Sequence, residues 1–281
     1  MTTYTYARGV AAALALLALT GPARAAEPRA PWVRAWGGNG AGQLGNGTAG
    51  ASPRPVAVQS LNKVEDIAAG CFHAIAFRED GTVWTWGRNH YGQLGLGATA
   101  DRNTPQRVPD LTDVVEVSAG CHHSLARTAD GTVKAWGYNA NGQLGNGSTA
   151  HASAPVDVAH LTDVSRIFAA GYHSFAVLDD GELRAWGWNG AGHLGDGGST
   201  VSRTTPVPVP GLTDVTALAG GYNHSVAVLA DGSVLAWGEN TLGQLGDGTT
   251  TNSSTPVTAL PPGSGATRVA VSTVSRTSYA Y

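Results

Sequence analysis

Apolar and polar residues alternate over short stretches along this chain, and no stretch of ten or more residues carries a helical period. "SLARTADGTVKAWG", from Ser124, shows the pattern. An alternating run leads to Asp130-Gly131 and a second alternating run follows, which predicts a strand, a tight turn and a returning strand, with glycine supplying the positive φ. The same turn stands at Asp80-Gly81, Asp180-Gly181 and Asp231-Gly232. Downstream of each hairpin a glycine-rich run ends in a proline ahead of an apolar segment, at Pro55, Pro105, Pro155, Pro206 and Pro256. An outer strand tolerates proline there, because an N–H on its free edge makes no ladder hydrogen bond to lose. A fourth strand, such as "DVVEVSAG" from Asp113, leads into the next hairpin.

These units repeat. Trp-Gly occurs at Trp36, Trp86, Trp136, Trp186 and Trp237, in steps of 50, 50, 50 and 51 residues. A Gly-Gln-Leu-Gly run keeps the same register from Gly42, Gly92, Gly142 and Gly243, with His193 replacing the glutamine in the fourth copy. A period near 50 with four short strands per unit predicts an all-β fold, a single β-propeller of about five four-stranded blades. The chain ends point to ring closure. Residues 32–37 match the second hairpin strand without the first, and residues 277–281 match the first without the second. Their pairing completes a fifth blade and removes two open edges. The competing arrangements are an open five-unit arc and a larger ring completed by a second chain.

Ahead of the repeats, Arg8 precedes the apolar run Val10 to Leu19, and Ala23-Arg24-Ala25 follows as a small-x-small cleavage pattern. Residues 1–25 therefore read as a secretory signal peptide, residues 26–31 as a short leader and residues 32–281 as the propeller. The expected protein is secreted, extracellular or associated with the cell wall. The apolar run is too short for an ordinary spanning helix, so no membrane contact is expected of the mature chain. Net charge is −3 for the whole chain, and loss of Arg8 and Arg24 takes it to −5. Nothing in that balance suggests nucleic-acid binding.

Trp-Gly-x-Asn, Gly-Gln-Leu-Gly-x-Gly, the proline before an outer strand, Ala-Gly-x-x-His-Ser and Asp-Gly together resemble the repeat of the regulator-of-chromosome-condensation family, over residues 32 to 281. The resemblance implies a β-propeller, usually of seven blades, that works by holding other proteins. Members include a chromatin-bound nucleotide exchange factor for a small GTPase and a secreted bacterial inhibitor that covers the mouth of β-lactamases. This chain is similar to the secreted bacterial type, and distantly to that inhibitor. Its blade count and exported start depart from the usual pattern and argue against a nuclear exchange role.

Most repeated residues are scaffold. Asn39, Asn89, Asn139, Asn189 and Asn240 suit a strand end where a side chain bonds nearby backbone. His73, His123, His173 and His224 recur in consecutive blades, where each ring can tie one loop to the next blade. A metal site is the sharper alternative, but no carboxylate accompanies the set at ligand spacing. Every Ser-His pair belongs to the repeat, so no catalytic residue, cofactor or metal is expected and the chain is not read as an enzyme. Cys71 and Cys121 are the only cysteines. They follow equivalent glycines in adjacent units, so they form either a disulfide across two blades or two separate buried thiols.

The informative residues are those that differ between copies. Because the Asp-Gly hairpin reverses the chain, the loops entering and leaving each hairpin share one face of the disc and the Asp-Gly turns lie on the other. The entering loops carry Phe72, His122, Tyr172 and Tyr222-Asn223. The leaving loops carry Arg88, His90 and Tyr91, then Tyr138 and Asn141, then Trp188, then Glu239 and Leu242. Aromatic rings with a few polar neighbours on loops suit a protein-binding face. The bland alternative is that some rings merely cover the blades beneath them. The rival function is a lectin-like glycan binder, which would show narrow pockets between blades, each with a polar group beside one ring. A monomer with a protein partner is the expected state.

Overall fold

A computed structural model describes residues 33–198, 201–272 and 276–281. The signal peptide, the leader and Trp32 lie outside the described residues. Among those described, every regular element is a strand.

The chain opens with β1 (Arg34–Gly37) and β2 (Ser52–Ala57), an antiparallel pair. Four complete blades follow. The first holds β3 (Val64–Ala69), β4 (His73–Arg78), β5 (Val83–Gly87) and β6 (Arg102–Arg107). Next come β7 (Val114–Ala119), β8 (His123–Thr128), β9 (Val133–Gly137) and β10 (Ala152–Asp157). The third blade contains β11 (Val164–Ala169), β12 (His173–Leu178), β13 (Leu183–Gly187) and β14 (Arg203–Pro208). The fourth contains β15 (Val215–Gly220), β16 (His224–Leu229), β17 (Val234–Gly238) and β18 (Ser253–Leu260). The chain finishes on a second two-stranded sheet, β19 (Val269–Val271) and β20 (Ser278–Ala280). Each blade is a four-stranded antiparallel sheet in sequence order. The five repeats are those of a five-blade propeller.

The expected prolines fall in β2, β6, β10, β14 and β18, the outermost strands, where the ladder register shifts. The inner strands β3, β7, β11, β15 and β19 stand side by side in that order. Apolar clusters fill the gaps between successive blades; Leu125, Leu144, Ile167 and Trp186 occupy one of them.

The gap between the first two complete blades is sealed by a hydrogen-bonded set. Trp136 Nε1 donates to the Gln93 carbonyl of the preceding repeat at 2.9 Å, and Ser124 Oγ donates to that carbonyl at 2.9 Å. Gly95 makes room for the indole: a Cβ there would stand 2.9 Å from Trp136 Nε1, and its φ of +69° is itself a glycine conformation. Trp186 with Ser174 and Trp237 with Ser225 repeat the arrangement, whereas Trp86 donates to the Gln43 carbonyl where Ala74 replaces the serine.

Among the described residues, no ladder joins residues 33–37 to residues 277–281, the pairing expected of the chain ends. β1 bonds β2 and β20 bonds β19, so the two half-blades are separate sheets. Ser278 Oγ does reach the Gln244 carbonyl at 2.9 Å, which docks β20 correctly on the fourth blade. Trp36 does not join it: this indole is half-buried where its four counterparts are buried, and Gly246 has Ala259 beside it instead of an indole. The physical reason lies in the last repeat. β19 and β20 have three residues each against six in β7 and β8, so little ladder is available to capture β1. Tyr279 and Tyr281 are left 60% and 64% exposed.

Candidate functional site: an aromatic loop face

The backbone places the entering and leaving loops of each blade together. Arg88 N donates to Phe72 O, Tyr138 N to His122 O, Trp188 N to Tyr172 O and Glu239 N to Asn223 O, all at 2.7–2.9 Å. On the other face, the Asp-Gly turns meet the starts of the next inner strands; Gly81 packs against Asp113. Below the loops, the repeated asparagines act as spacers. Asn139 Oδ1 accepts from Leu144 N and its Nδ2 donates to the carbonyls of Ser148 and Ala150, so the glycine-rich loop is held from inside.

The four histidines are buried ties between blades. Their Nε2 atoms lie 2.8–3.0 Å from the hydroxyls of Ser124, Ser174, Ser225 and Ser278 of the following repeat. Burial chiefly lowers their pKa, to about 3 for His73 and His123, well below the ordinary value for His173, and to about 4 for His224. They are neutral at pH 7. Among the described residues no group of three or more His, Cys, Asp or Glu is placed to hold a metal.

Above this scaffold the rings form a continuous floor. Tyr91 and Tyr138 meet edge to face at 4.9 Å, Tyr138 and Tyr172 at 5.9 Å, and Tyr172 touches Tyr222 at 5.5 Å and Trp188 at 6.3 Å. His122 joins through Tyr91 at 5.4 Å, and Phe72 stacks on His122 at 6.3 Å. Together with Asn141 and Asn223 these rings, Phe72 apart, line a shallow depression of about 300 Å³. Burial holds the Tyr172 and Tyr222 phenols above their ordinary pKa, and burial followed by Arg88 and His90 holds the His122 imidazole below its own. The floor is therefore uncharged at neutral pH.

The other candidates sit at the rim. Arg88 lies 4.1 Å over the Phe72 ring. His90 pairs with Asp101 at 3.5 Å and is largely exposed. Glu239 accepts from Asn223 and pairs with Arg276 at 3.0 Å. Leu242 is 70% exposed and does not line the depression.

Two rings, His151 and His193, were not placed on this face by the sequence, and Tyr222, placed on an entering loop, sits one position earlier in the repeat than expected. Tyr222 lines the depression; in register with the histidines it is the counterpart of Cys71, Cys121 and Gly171, and not of Tyr172. His151 packs 4.7 Å from Tyr138, and its Nδ1 accepts from Asn139 N as Asp101 does from Asn89 N. That shared capping position was the available signal. His193 stacks on Trp188 at 4.3 Å, and its signal was the broken Gln-Leu motif.

Cys71 and Cys121 form a disulfide, with Cα atoms 4.6 Å apart. It bridges the turns that enter β4 and β8. Tyr222 crosses to it over Gly171, where a Cβ would come within 2.9 Å of Tyr222 Cα.

Blades repeated around an axis, with variable loops gathered on one face, define a repeat-built β-propeller. Residues 33–77, 80–127, 130–177, 180–228 and 231–274 each match the Regulator of chromosome condensation (RCC1) repeat, and the chain belongs to that family. It is similar to human WBSCR16 at 25% identity, with a TM-score of 0.75 over 85% of this chain and 64% of that one. It is also similar to a crystal structure of Kap60 bound to yeast RCC1 (Prp20), at 23% identity and a TM-score of 0.76 over 86% of this chain and 60% of that one. The second likeness shows the fold alone. The chain thus spans less than two thirds of the length of either structure. RCC1-repeat propellers typically serve as interaction or exchange-factor scaffolds.

Proposed function

We propose that this chain is an exported, monomeric protein-binding propeller that holds or inhibits a partner protein through its aromatic loop face. The observation that carries this reading is the continuity of the floor: rings from four consecutive repeats touch one another from Phe72 to Trp188. A glycan binder of the expected kind would have separate narrow pockets. One shallow uncharged depression with a polar rim instead matches the layout of a protein hot spot, where aromatic anchors sit centrally and charges sit outside. The yeast relative is seen with a protein, Kap60. Export is supported by the Arg8, Val10–Leu19 and Ala23-Arg24-Ala25 pattern, and by a disulfide, which persists in oxidising compartments.

The test is a pull-down of secreted and cell-wall proteins with the native chain beside a Tyr138→Ala, Trp188→Ala double variant. The expected result is a partner captured by the native chain and lost from the variant. A positive glycan array with an empty protein capture would transfer the function to sugar binding.

A further inference from the structure

The aromatic floor is uncharged, but one corner of it holds an unpaired positive charge. Arg88 follows β5 directly and is half-buried, its guanidinium carbon 4.1 Å over the Phe72 ring. Stacking of this kind uses the face of the guanidinium and leaves its in-plane N–H fork for another partner. Among the described residues nothing takes that fork: Arg88 Nε is buried without a hydrogen-bond partner, and no carboxylate pairs with the side chain. Two carboxylates at the rim are already engaged. Asp101 pairs with His90 at 3.5 Å and accepts from Asn89 N, while Glu239 pairs with Arg276 at 3.0 Å and accepts from Asn223. Beside Arg88, His122 stacks on the same Phe72 ring at 6.3 Å and lines the depression. Its Nδ1 is likewise buried and without a partner among the described residues.

We propose that Arg88 is the specificity-determining contact of this face and receives a side-chain carboxylate of the partner protein, set beside an aromatic or large apolar residue that fills the depression. This contact presupposes the protein-binding reading of the floor and adds the chemistry of the partner. The planar fork of a guanidinium matches a carboxylate in geometry, and charge-assisted bonds of this kind are among the strong ones. One cation beside a neutral imidazole balances the single charge of Asp or Glu. A phosphoryl group, with close to two charges, would be left undercompensated. Phe72 forms an apolar wall beneath the guanidinium, so an ion pair there is less screened by water than one in open solvent. Elsewhere on the rim Glu239, Asn223 and Arg276 satisfy one another. The partner's acid is therefore directed to the Phe72 corner, which fixes the way round in which the partner sits on the floor.

A phage-displayed library of random peptides, selected on the native chain, supplies the probes, and the recovered peptides are synthesised and titrated by fluorescence anisotropy. The expected peptides carry Asp or Glu close to an aromatic residue, fail to bind the Tyr138→Ala, Trp188→Ala double variant, and weaken about tenfold or more when the acid is replaced by its amide. Arg88→Gln should bind the acidic and amide forms alike, at the affinity of the amide. Arg107→Gln, an exposed arginine paired with Trp84 toward the Asp-Gly end of β6, should change nothing. The amide replacement probes the contact without altering the chain, so it decides the matter even if Arg88→Gln folds poorly. Peptides that need Tyr138 and Trp188 but carry no acid, or bind equally as amides, would overturn the Arg88 contact and leave the protein-binding reading intact. Undiminished discrimination by Arg88→Gln would place the acid elsewhere and overturn it too. Acidic peptides indifferent to the double variant, or an empty selection, also overturn it, and the protein-binding reading then stands or falls on the capture of secreted proteins alone.

Discussion

Tyr222 places its phenol hydroxyl 2.7 Å from Cys121 Sγ, so a residue of the fourth blade closes over a disulfide that joins the first two. The contact lies where the inner strands meet the aromatic floor. Phe72 and His122, the residues after the two cysteines, stack on each other, so the disulfide also sets the spacing of two rings of the floor.

Reduction of that disulfide should lower stability markedly. It closes a loop with a sequence separation of 50, which in the chain-entropy account corresponds to about 4 kcal/mol. Urea unfolding with and without reductant, alongside a Cys71→Ser, Cys121→Ser double variant, measures it. A midpoint unmoved by reductant would mean that the ring of blades holds these turns unaided.

Stability should fall as the solution is acidified from neutrality. The buried histidines have folded pKa values depressed to about 3 or 4, so the unfolded chain binds more protons at mildly acidic pH. Their contribution is complete above about pH 6.5, declines below it, and is lost as pH drops through the folded values. Each depressed histidine adds a slope approaching about 1.4 kcal/mol per pH unit within that window. Urea midpoints measured from pH 7.5 down to 4.5 should therefore decline steadily. A flat profile would mean that the rings are protonated in the folded state.

The repeat made most of this architecture legible. Trp-Gly spacing, Asp-Gly turns and the proline positions located every blade and identified its outer strand, because each is tied to a local backbone requirement. The face carrying Tyr91, Tyr138, Tyr172 and Trp188 followed from the reversal of the chain at each hairpin. The pairing of the chain ends is a different matter, since no ladder joins β1 to β20 among the described residues. The fragments at residues 32–37 and 277–281 look complementary in letters, but pairing depends on ladder length and on an indole reaching the Gln244 carbonyl, which are tertiary quantities. The disulfide was undecided for the same reason, since a spacing of one repeat does not give the distance between inner strands. His151 was overlooked because its glycine-rich loop carries it a long way in sequence from the hairpin it covers.

The indoles of Trp136 and Trp36 should differ in worth. Trp136→Phe removes a buried hydrogen bond to Gln93 O and thins a filled gap between blades, at a cost of about 1–3 kcal/mol. Trp36→Phe, whose indole is half-buried, should change stability by less than about 0.5 kcal/mol. Thermal melts of the two variants compare them directly. Equal losses would show that β1 and β20 do meet in solution.

Truncation on the loop face should reduce partner affinity without unfolding the blades. Tyr91 is exposed, Tyr138 and Trp188 are half-buried, and all three stand above the capping asparagines, outside the buried inter-blade clusters. Replacing any one by alanine should weaken binding by about 1–4 kcal/mol, the usual range for a hot-spot aromatic. Melting temperatures should change little. The size should grade with position. Tyr138 touches Tyr91, His122, Tyr172 and His151, so its loss opens the centre of the floor, whereas Leu242→Ala lies outside the depression and should cost less. Thr82→Ala and Ser233→Ala, in the Asp-Gly turns of the opposite face, remove hydrogen bonds to Asp80 and Asp231 and should leave affinity unchanged. Calorimetry against the captured partner ranks these variants. A larger loss from the Asp-Gly variants than from Tyr138→Ala would place the contact surface on the other side of the disc.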